Sequence, residues 1–153
     1  MFVVGAAVVP AVLGVSTASD ASPMIRRAVE ARELSVRDTS EAHLVKAVGN
    51  VLTEEGKVTG TLPGTARITI DLHAGGGTAT ARVTFHVSGG SINSQGNGKG
   101  HEGSGGWESF SGTMRLQGGT GHYAHASGSG HMYGALNRRN DKLTVQTMVT
   151  MRY

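Results

Sequence analysis

From about residue 65 onward, apolar and polar residues alternate along the chain with a period of two. In the segment TARITIDLH (65–73) every second residue is apolar, and after the turn AGGG (74–77) the segment 78–88 repeats the rule. A period of two places the apolar side chains on one face of a β-strand. Two such segments around a glycine-rich turn therefore predict an antiparallel hairpin.

The same pattern, divided by turn signals such as Pro63-Gly64 and the segment NRRND, extends over most of the chain. No helical periodicity is visible past Ser40. Many short strands without intervening helices are typical of an all-β sandwich or barrel, and we predict a closed eight-stranded antiparallel β-barrel. The predicted strands are 43–53, 57–63, 65–73, 78–88, 90–98, 107–117, 124–137 and 142–152.

The N-terminal segment has a different texture. Phe2 to Val15 is an apolar run that is too short to span a bilayer, and it ends in two small-x-small tripeptides that close at Ala18 and Ala21. This pattern is typical of a secretory signal peptide, and a buried strand or helix is the alternative. We therefore expect a signal peptide over 1–21, a linker or short helix over 22–39 and the barrel over 40–153. The mature protein would be secreted, with no stable membrane insertion.

Composition excludes several classes of site. The chain has no cysteine, which removes disulfides, thiolate metal sites and cysteine nucleophiles. The net charge is +3, and the cations are scattered rather than arranged as a stripe with aromatic residues. The sequence therefore predicts no binding to nucleic acid.

The segment GGTGHYAHASGSG (118–130) is the most unusual stretch, and it has three interpretations: a phosphate loop, a metal site or a tight turn. A dinucleotide or phosphate loop requires a following helix or a Gly-Lys-Ser/Thr sequence, and neither is present. His122 and His125 are three apart, so a regular strand would place them on opposite faces. We interpret the segment as a turn between two strands and predict no metal and no cofactor.

Acid–base candidates are few. No GxSxG motif occurs, and the catalytic residues of any reaction stay unidentified. Glu54-Glu55 is interpreted as a solvated hairpin tip. A glycine-rich segment (96–106) is predicted to form a mobile loop. Glu102 lies in this segment and Glu108 lies just after it, and both suit acid–base chemistry only if the loop closes over a pocket.

Three segments carry a family pattern. Residues 106–130 (GWESFSGTMRLQGGTGHYAHASGSG) combine an acidic-Ser-Phe strand with Gly-Gly-Thr-Gly, an aromatic residue, an alanine and further glycines. The segments INSQGNG (92–98) and VTGTLPG (58–64) accompany them. Together they resemble the allene oxide cyclase and dirigent barrel superfamily over roughly residues 40–153. The resemblance implies an apolar barrel that holds a small organic molecule.

This chain departs from the cyclases of that group in two respects. Allene oxide cyclases carry a pocket cysteine, and they have a pocket tyrosine just after a Gln-Gly pair. Here cysteine is absent, and Asn97 and Gly98 follow the corresponding pair. We therefore predict that the protein does not cyclise allene oxides.

The function predicted from the sequence is a secreted binding module whose partner is a small apolar or aromatic molecule. The alternative is a cyclase- or isomerase-type enzyme that shapes a reactive substrate inside the barrel. Self-association into a homo-oligomer is compatible with either. The residues predicted to bind the ligand are Val83, Phe85, Phe110 and Met114 in the interior, Trp107 and Tyr123 at the rim, and Asn50 as a polar residue on an inward face.

Overall fold

The computed structural model describes residues 31–75 and 77–153. Eight antiparallel strands form a closed barrel in which each strand pairs with the next and the last pairs with the first. The predicted fold class is confirmed. The strands are β1 (Glu33–Val48), β2 (Val51–Gly60), β3 (Gly64–Leu72), β4 (Thr78–Val87), β5 (Gly90–Glu102), β6 (Trp107–Gly121), β7 (Ser127–Asn137) and β8 (Lys142–Arg152).

The alternation read from the sequence sets the two faces of the barrel wall. On β3, Ala66 and Ile68 are buried while Arg67 is exposed, and on β8 every second residue from Leu143 to Met151 is buried. Phe85 of β4 is also buried. Burial of one face along every strand produces a single apolar core inside the barrel, and this core is the main stabilising term of the fold.

The first strand differs from the prediction. We predicted one strand over 43–53, but β1 runs from Glu33 to Val48 and β2 starts at Val51 after a tight turn. Gly49 in that turn has φ +58°, a left-handed conformation that favours glycine. The prediction failed because β1 buries Asp38 and Ser40 on its inward face, which hides the alternation.

As a consequence, the barrel begins earlier than expected. Glu33 to His43 pair in unbroken register with β8, so the latter part of the predicted linker (22–39) belongs to the barrel wall. The predicted signal peptide (1–21) and the earlier part of that linker lie outside the described residues. No helix within 31–75 or 77–153 is long and apolar enough to cross a lipid bilayer.

The segment predicted to be a mobile loop is mostly strand. β5 continues through Glu102 and pairs with β6 along its length, and only a short 3₁₀ turn (Ser104–Gly106) separates the two strands. The sequence shows no alternation of apolar and polar residues here, because the inward positions are glycines, namely Gly96, Gly98 and Gly100. Backbone hydrogen bonds do not depend on side chains, so the ladder continues where the apolar pattern stops.

The two ends of the barrel differ. At one end, which we call the closed end, the side chain of Tyr123 is buried after β6. Its hydroxyl donates a hydrogen bond to the carbonyl of Ser88 at 3.4 Å, and its ring lies 5.4 Å from that of Tyr153. The interior next to this end is nearly filled, with a void of only about 20 Å³. At the other end, the open end, the connections that follow β1, β3, β5 and β7 surround an unfilled interior.

Candidate ligand cavity

A cavity of about 350 Å³ occupies the half of the barrel next to the open end. This volume lies at the lower end of the usual range for small-molecule sites, roughly 300 to 1,000 Å³. Its wall is mostly aliphatic and aromatic. The large apolar side chains that line it are Leu52, Ile68, Ile70, Leu72, Val83, Phe85, Phe110, Met114, Met132, Leu136, Leu143 and Val145.

The cavity exists because two adjacent strands, β4 and β5, contribute almost no side-chain volume near the open end of the barrel. Ala79 and Ala81 of β4, with Gly98 and Gly100 of β5, line one wall. An eight-stranded barrel has an interior just wide enough to be filled by side chains or to hold one small ligand. Small residues on one wall leave that space open.

The mouth of the cavity is polar. The carboxylate of Glu108 accepts a hydrogen bond from Nε of Arg138 at 2.7 Å, and Glu102 lies directly opposite Glu108 in the strand register. The ring nitrogens of His73 lie within 3.4 Å of the hydroxyls of Thr78 and Thr80. Glu102, Glu108, Arg138 and His73 all line the cavity. The open end therefore offers charged and hydrogen-bonding groups above an apolar interior.

Glu54 of β2 is the most deeply buried ionisable group among the described residues, with only 1 % of its surface exposed. Its Oε2 atom has no hydrogen-bond partner among the described residues. Burial raises the pKa of this carboxyl from 4.5 to about 7, and the negative charge of Asp141 adds to the increase. Desolvation disfavours the charged form, so the carboxyl retains its proton to far higher pH than an exposed glutamate.

The sequence analysis misread this residue. Glu54-Glu55 was interpreted as a solvated hairpin tip, which is wrong for Glu54, because both residues lie inside β2 and only Glu55 faces outward. Glu54 shares its inward face with Leu52 and Val58, two and four residues away. In the sequence, this even spacing from Leu52 and Val58 was the pattern that could have indicated an inward position for Glu54. Leu52 lines the cavity, as does Ile68, the cross-strand neighbour of Glu54. Glu54 itself is not among the residues that line the cavity.

The predicted ligand-binding residues fall into two groups. Val83, Phe85, Phe110 and Met114 line the cavity together. The other three lie elsewhere: Trp107 is at the open end with its side chain on the outer face and 48 % exposed, Tyr123 is at the closed end, and Asn50 is exposed in the β1–β2 turn. The sequence placed Asn50 inward because it treated 43–53 as one strand, and the turn at Gly49 removes it from that face. The cavity residues that sequence reasoning did not select are chiefly those of β3, β7 and β8.

Metal-binding geometry was searched over the described ranges. No group of three or more His, Cys, Asp or Glu side chains within 31–75 and 77–153 lies in positions that would hold a metal ion. Comparison of the chain with protein-family models, with curated proteins and with solved structures found no match.

Proposed function

We propose that this protein binds a small apolar or aromatic molecule inside its barrel. The observation that carries the proposal is the cavity of about 350 Å³, lined by apolar side chains and reaching the open end. Apolar surface that is left in contact with water is unfavourable, and a ligand that fills the cavity would remove that cost. Well-formed apolar pockets with a few convergent polar groups are the usual form of small-molecule sites.

The polar mouth suggests what kind of ligand would fit. A molecule with an apolar body and one hydroxyl or carbonyl group would bury the body against Phe110 and Met114. Its polar group would face Glu108 and Arg138, which line the same cavity. Because these two residues already form an ion pair, they supply hydrogen bonds and little unpaired charge. A terpenoid or phenolic compound has this chemistry.

Family and location are part of the same proposal. The residue pattern of segments 58–64, 92–98 and 106–130, together with the closed antiparallel barrel, supports a place near the allene oxide cyclases and dirigent proteins. Secretion is proposed from the apolar run and small-x-small sites of the first 21 residues.

Export predicts a defined mature terminus. Expression in a secreting bacterial host should release protein whose mass corresponds to a chain that starts after Ala18 or after Ala21. Intact-mass spectrometry of the culture supernatant measures this directly. Soluble cytoplasmic protein that retains Met1 would contradict it.

The ligand proposal predicts that filling the cavity abolishes binding. Ala81 is half-buried and lines the cavity, so Ala81→Leu should place three extra carbon atoms in the ligand's space. We expect the binding of an apolar fluorescent dye, and its displacement by terpenoid and phenolic compounds, to fall at least tenfold. A loss of about 1.4 kcal/mol in binding free energy corresponds to that factor.

The matched control is Ser111→Leu, which adds the same kind of side chain to an exposed position on the outer face of β6. It should leave dye binding unchanged. Equal binding by the wild-type protein and Ala81→Leu would place the dye outside the barrel and reject the proposal, provided that both variants show the same far-ultraviolet circular dichroism.

A catalytic role is the second candidate, and one observation bears on it. Glu102 and Glu108, which suit acid–base chemistry only next to a pocket, do line the cavity mouth. Conversion of a bound terpenoid to a cyclised isomer, lost in Glu108→Gln with dye binding retained, would favour the enzyme over the binding module. We favour the binding module because the carboxylate of Glu108 is engaged in an ion pair with Arg138.

A further inference from the structure

A second concave site lies outside the barrel, on the outer face of the five consecutive strands β5, β6, β7, β8 and β1. This groove has a volume of about 830 Å³. Met114 lines both sites, but the two rows of residues described below are on the outer face of the wall, and none of them lines the cavity. The groove is formed by these two rows, which run across all five strands in register.

The first row carries a patch of hydroxyl groups. Cross-strand pairing aligns Gln95, Arg115, Ser129, Thr150 and Ser35 in this order. The last three have short side chains, while Gln95 and Arg115 at the other end have long ones. Gln117, which also lines the groove, donates a hydrogen bond from Nε2 to Oε1 of Gln95 at 3.1 Å. The long side chains on β5 and β6 therefore form one wall beside a floor of hydroxyls.

The second row supplies the opposite wall. Pairing aligns Asn97, Thr113, His131, Met148 and Arg37 two residues along the same strands. The three long side chains of this row lie beside the three hydroxyl residues of the first. Arg115 and Arg37 lie on strands that are three positions apart in the barrel wall, and both line the groove.

The charge of the groove has one sign. Arg37, Arg115 and His131 line it, and none of its lining residues is Asp or Glu. The ion pairs found among the described residues involve Arg67, Arg138 and Arg152. Neither Arg37 nor Arg115 is therefore paired with a described carboxylate. Guanidinium groups bind carboxylate, sulfate and phosphate through paired hydrogen bonds. The groove therefore favours an anion.

The serine and threonine hydroxyls of the first row and the side-chain amides beside them indicate that this anion also carries hydroxyl groups. Serine and threonine each donate one hydrogen bond and accept others, and the amides of Gln95 and Asn97 do both. Single-stranded nucleic acid is recognised chiefly by aromatic side chains on which its bases stack, and the groove contains no Phe, Tyr or Trp. From these observations we propose that the outer groove binds an acidic saccharide, a sugar that carries a carboxylate or sulfate group.

The experiment measures the binding of five probes to the full chain by isothermal titration calorimetry: 3′-sialyllactose, sulfated lactose, lactose, inorganic sulfate and a single-stranded oligonucleotide. The proposal expects either acidic sugar to bind at least about fivefold more tightly than lactose and than sulfate. The variants Arg37→Gln and Arg115→Gln should each weaken the binding of the acidic sugars by about tenfold, since each removes a charge-assisted hydrogen bond. Backbone amide resonances of Ser129 and Thr150 should shift on titration.

The matched control is Arg67→Gln, which removes the same charge from an exposed position on β3, outside the groove. It should change the affinity less than twofold. If Arg67→Gln weakens binding as much as the groove variants, the interaction is general attraction to a cationic protein and the proposal is wrong. It is also wrong if lactose or sulfate binds as tightly as the acidic sugars, if a single-stranded oligonucleotide binds more tightly than they do, or if no probe binds at millimolar concentration.

Discussion

Gly112→Ala is expected to destabilise the barrel by about 3 kcal/mol or more, the upper range for overpacking. A Cβ atom on Gly112 would lie 2.1 Å from the carbonyl oxygen of Asn97 and 2.8 Å from the Cα of Gly98, both on the neighbouring strand β5. Real Cβ atoms do not approach backbone so closely, and backbone cannot rotate away as a side chain does. The strands would have to separate, which weakens the β5–β6 ladder.

The control for this prediction lies directly across the ladder. Gly98 is the register partner of Gly112, but a Cβ atom there would be 3.6 Å from its nearest neighbours, an ordinary contact. Gly98→Ala should change stability by less than about 1 kcal/mol, because alanine also restricts the unfolded chain. Urea titration of both variants, followed by circular dichroism, gives the two free energies of unfolding. Equal losses in the two variants would show that strand glycine itself, rather than the close approach, sets the cost.

The contrast between these glycines explains part of what the sequence predicts. A glycine in a strand indicates a bulge, a bend or a close approach, but it does not say which. On β5 the run of inward glycines was therefore read as a loop, although the strand continues to Glu102. The strands β3, β4, β6 and β8 were predicted in kind because enough of their inward positions carry apolar side chains.

β1 and Glu54 were missed for a common physical reason. Sequence patterning assumes that inward residues are apolar, and this barrel buries Asp38, Ser40 and Glu54 on adjacent strands. The buried carboxylate of Asp38 has a hydrogen-bond partner, since its Oδ1 accepts a hydrogen bond from the backbone N–H of Leu62. Such partners come from residues distant in sequence, so only the folded register reveals that the polar group can be buried.

The cavity was predicted only in outline. Four of the seven residues chosen from the sequence line it, namely Val83, Phe85, Phe110 and Met114. Which end is filled and which is open depends on where Tyr123 lies relative to Ala79, Ala81 and Gly98. That relation is set by the closure of the barrel and by the stagger of its strands, neither of which a single strand's pattern contains.

Glu54→Gln is expected to stabilise the barrel by about 3 kcal/mol at pH 8 and to have little effect at pH 4. The folded-state pKa of Glu54 is about 7, against an ordinary value of 4.5. Below pH 4.5 the carboxyl is protonated in both states and contributes no pH dependence. Between pH 4.5 and 7 the unfolded chain releases the proton while the folded chain holds it, so stability falls as pH rises. Above about pH 7 the loss is complete, and the shift corresponds to about 3 kcal/mol.

Glutamine has the shape of the protonated carboxyl and does not ionise, so the variant avoids this loss. Glu55→Gln is the matched control: Glu55 is adjacent in sequence, faces outward and forms an exposed ion pair with Arg67 at 3.1 Å. An exposed pair contributes less than about 1 kcal/mol, and its removal should not stabilise the protein at pH 8.

Urea titrations of the wild type and both variants at pH 4, 6 and 8 give the difference in unfolding free energy at each pH. Comparing variant with wild type at the same pH removes every contribution that the two proteins share. A Glu54→Gln protein that is less stable than the wild type at pH 8 would mean that the ionised carboxylate has a stabilising partner in the folded barrel, and the assignment of Glu54 as a desolvated, unpaired acid would be wrong.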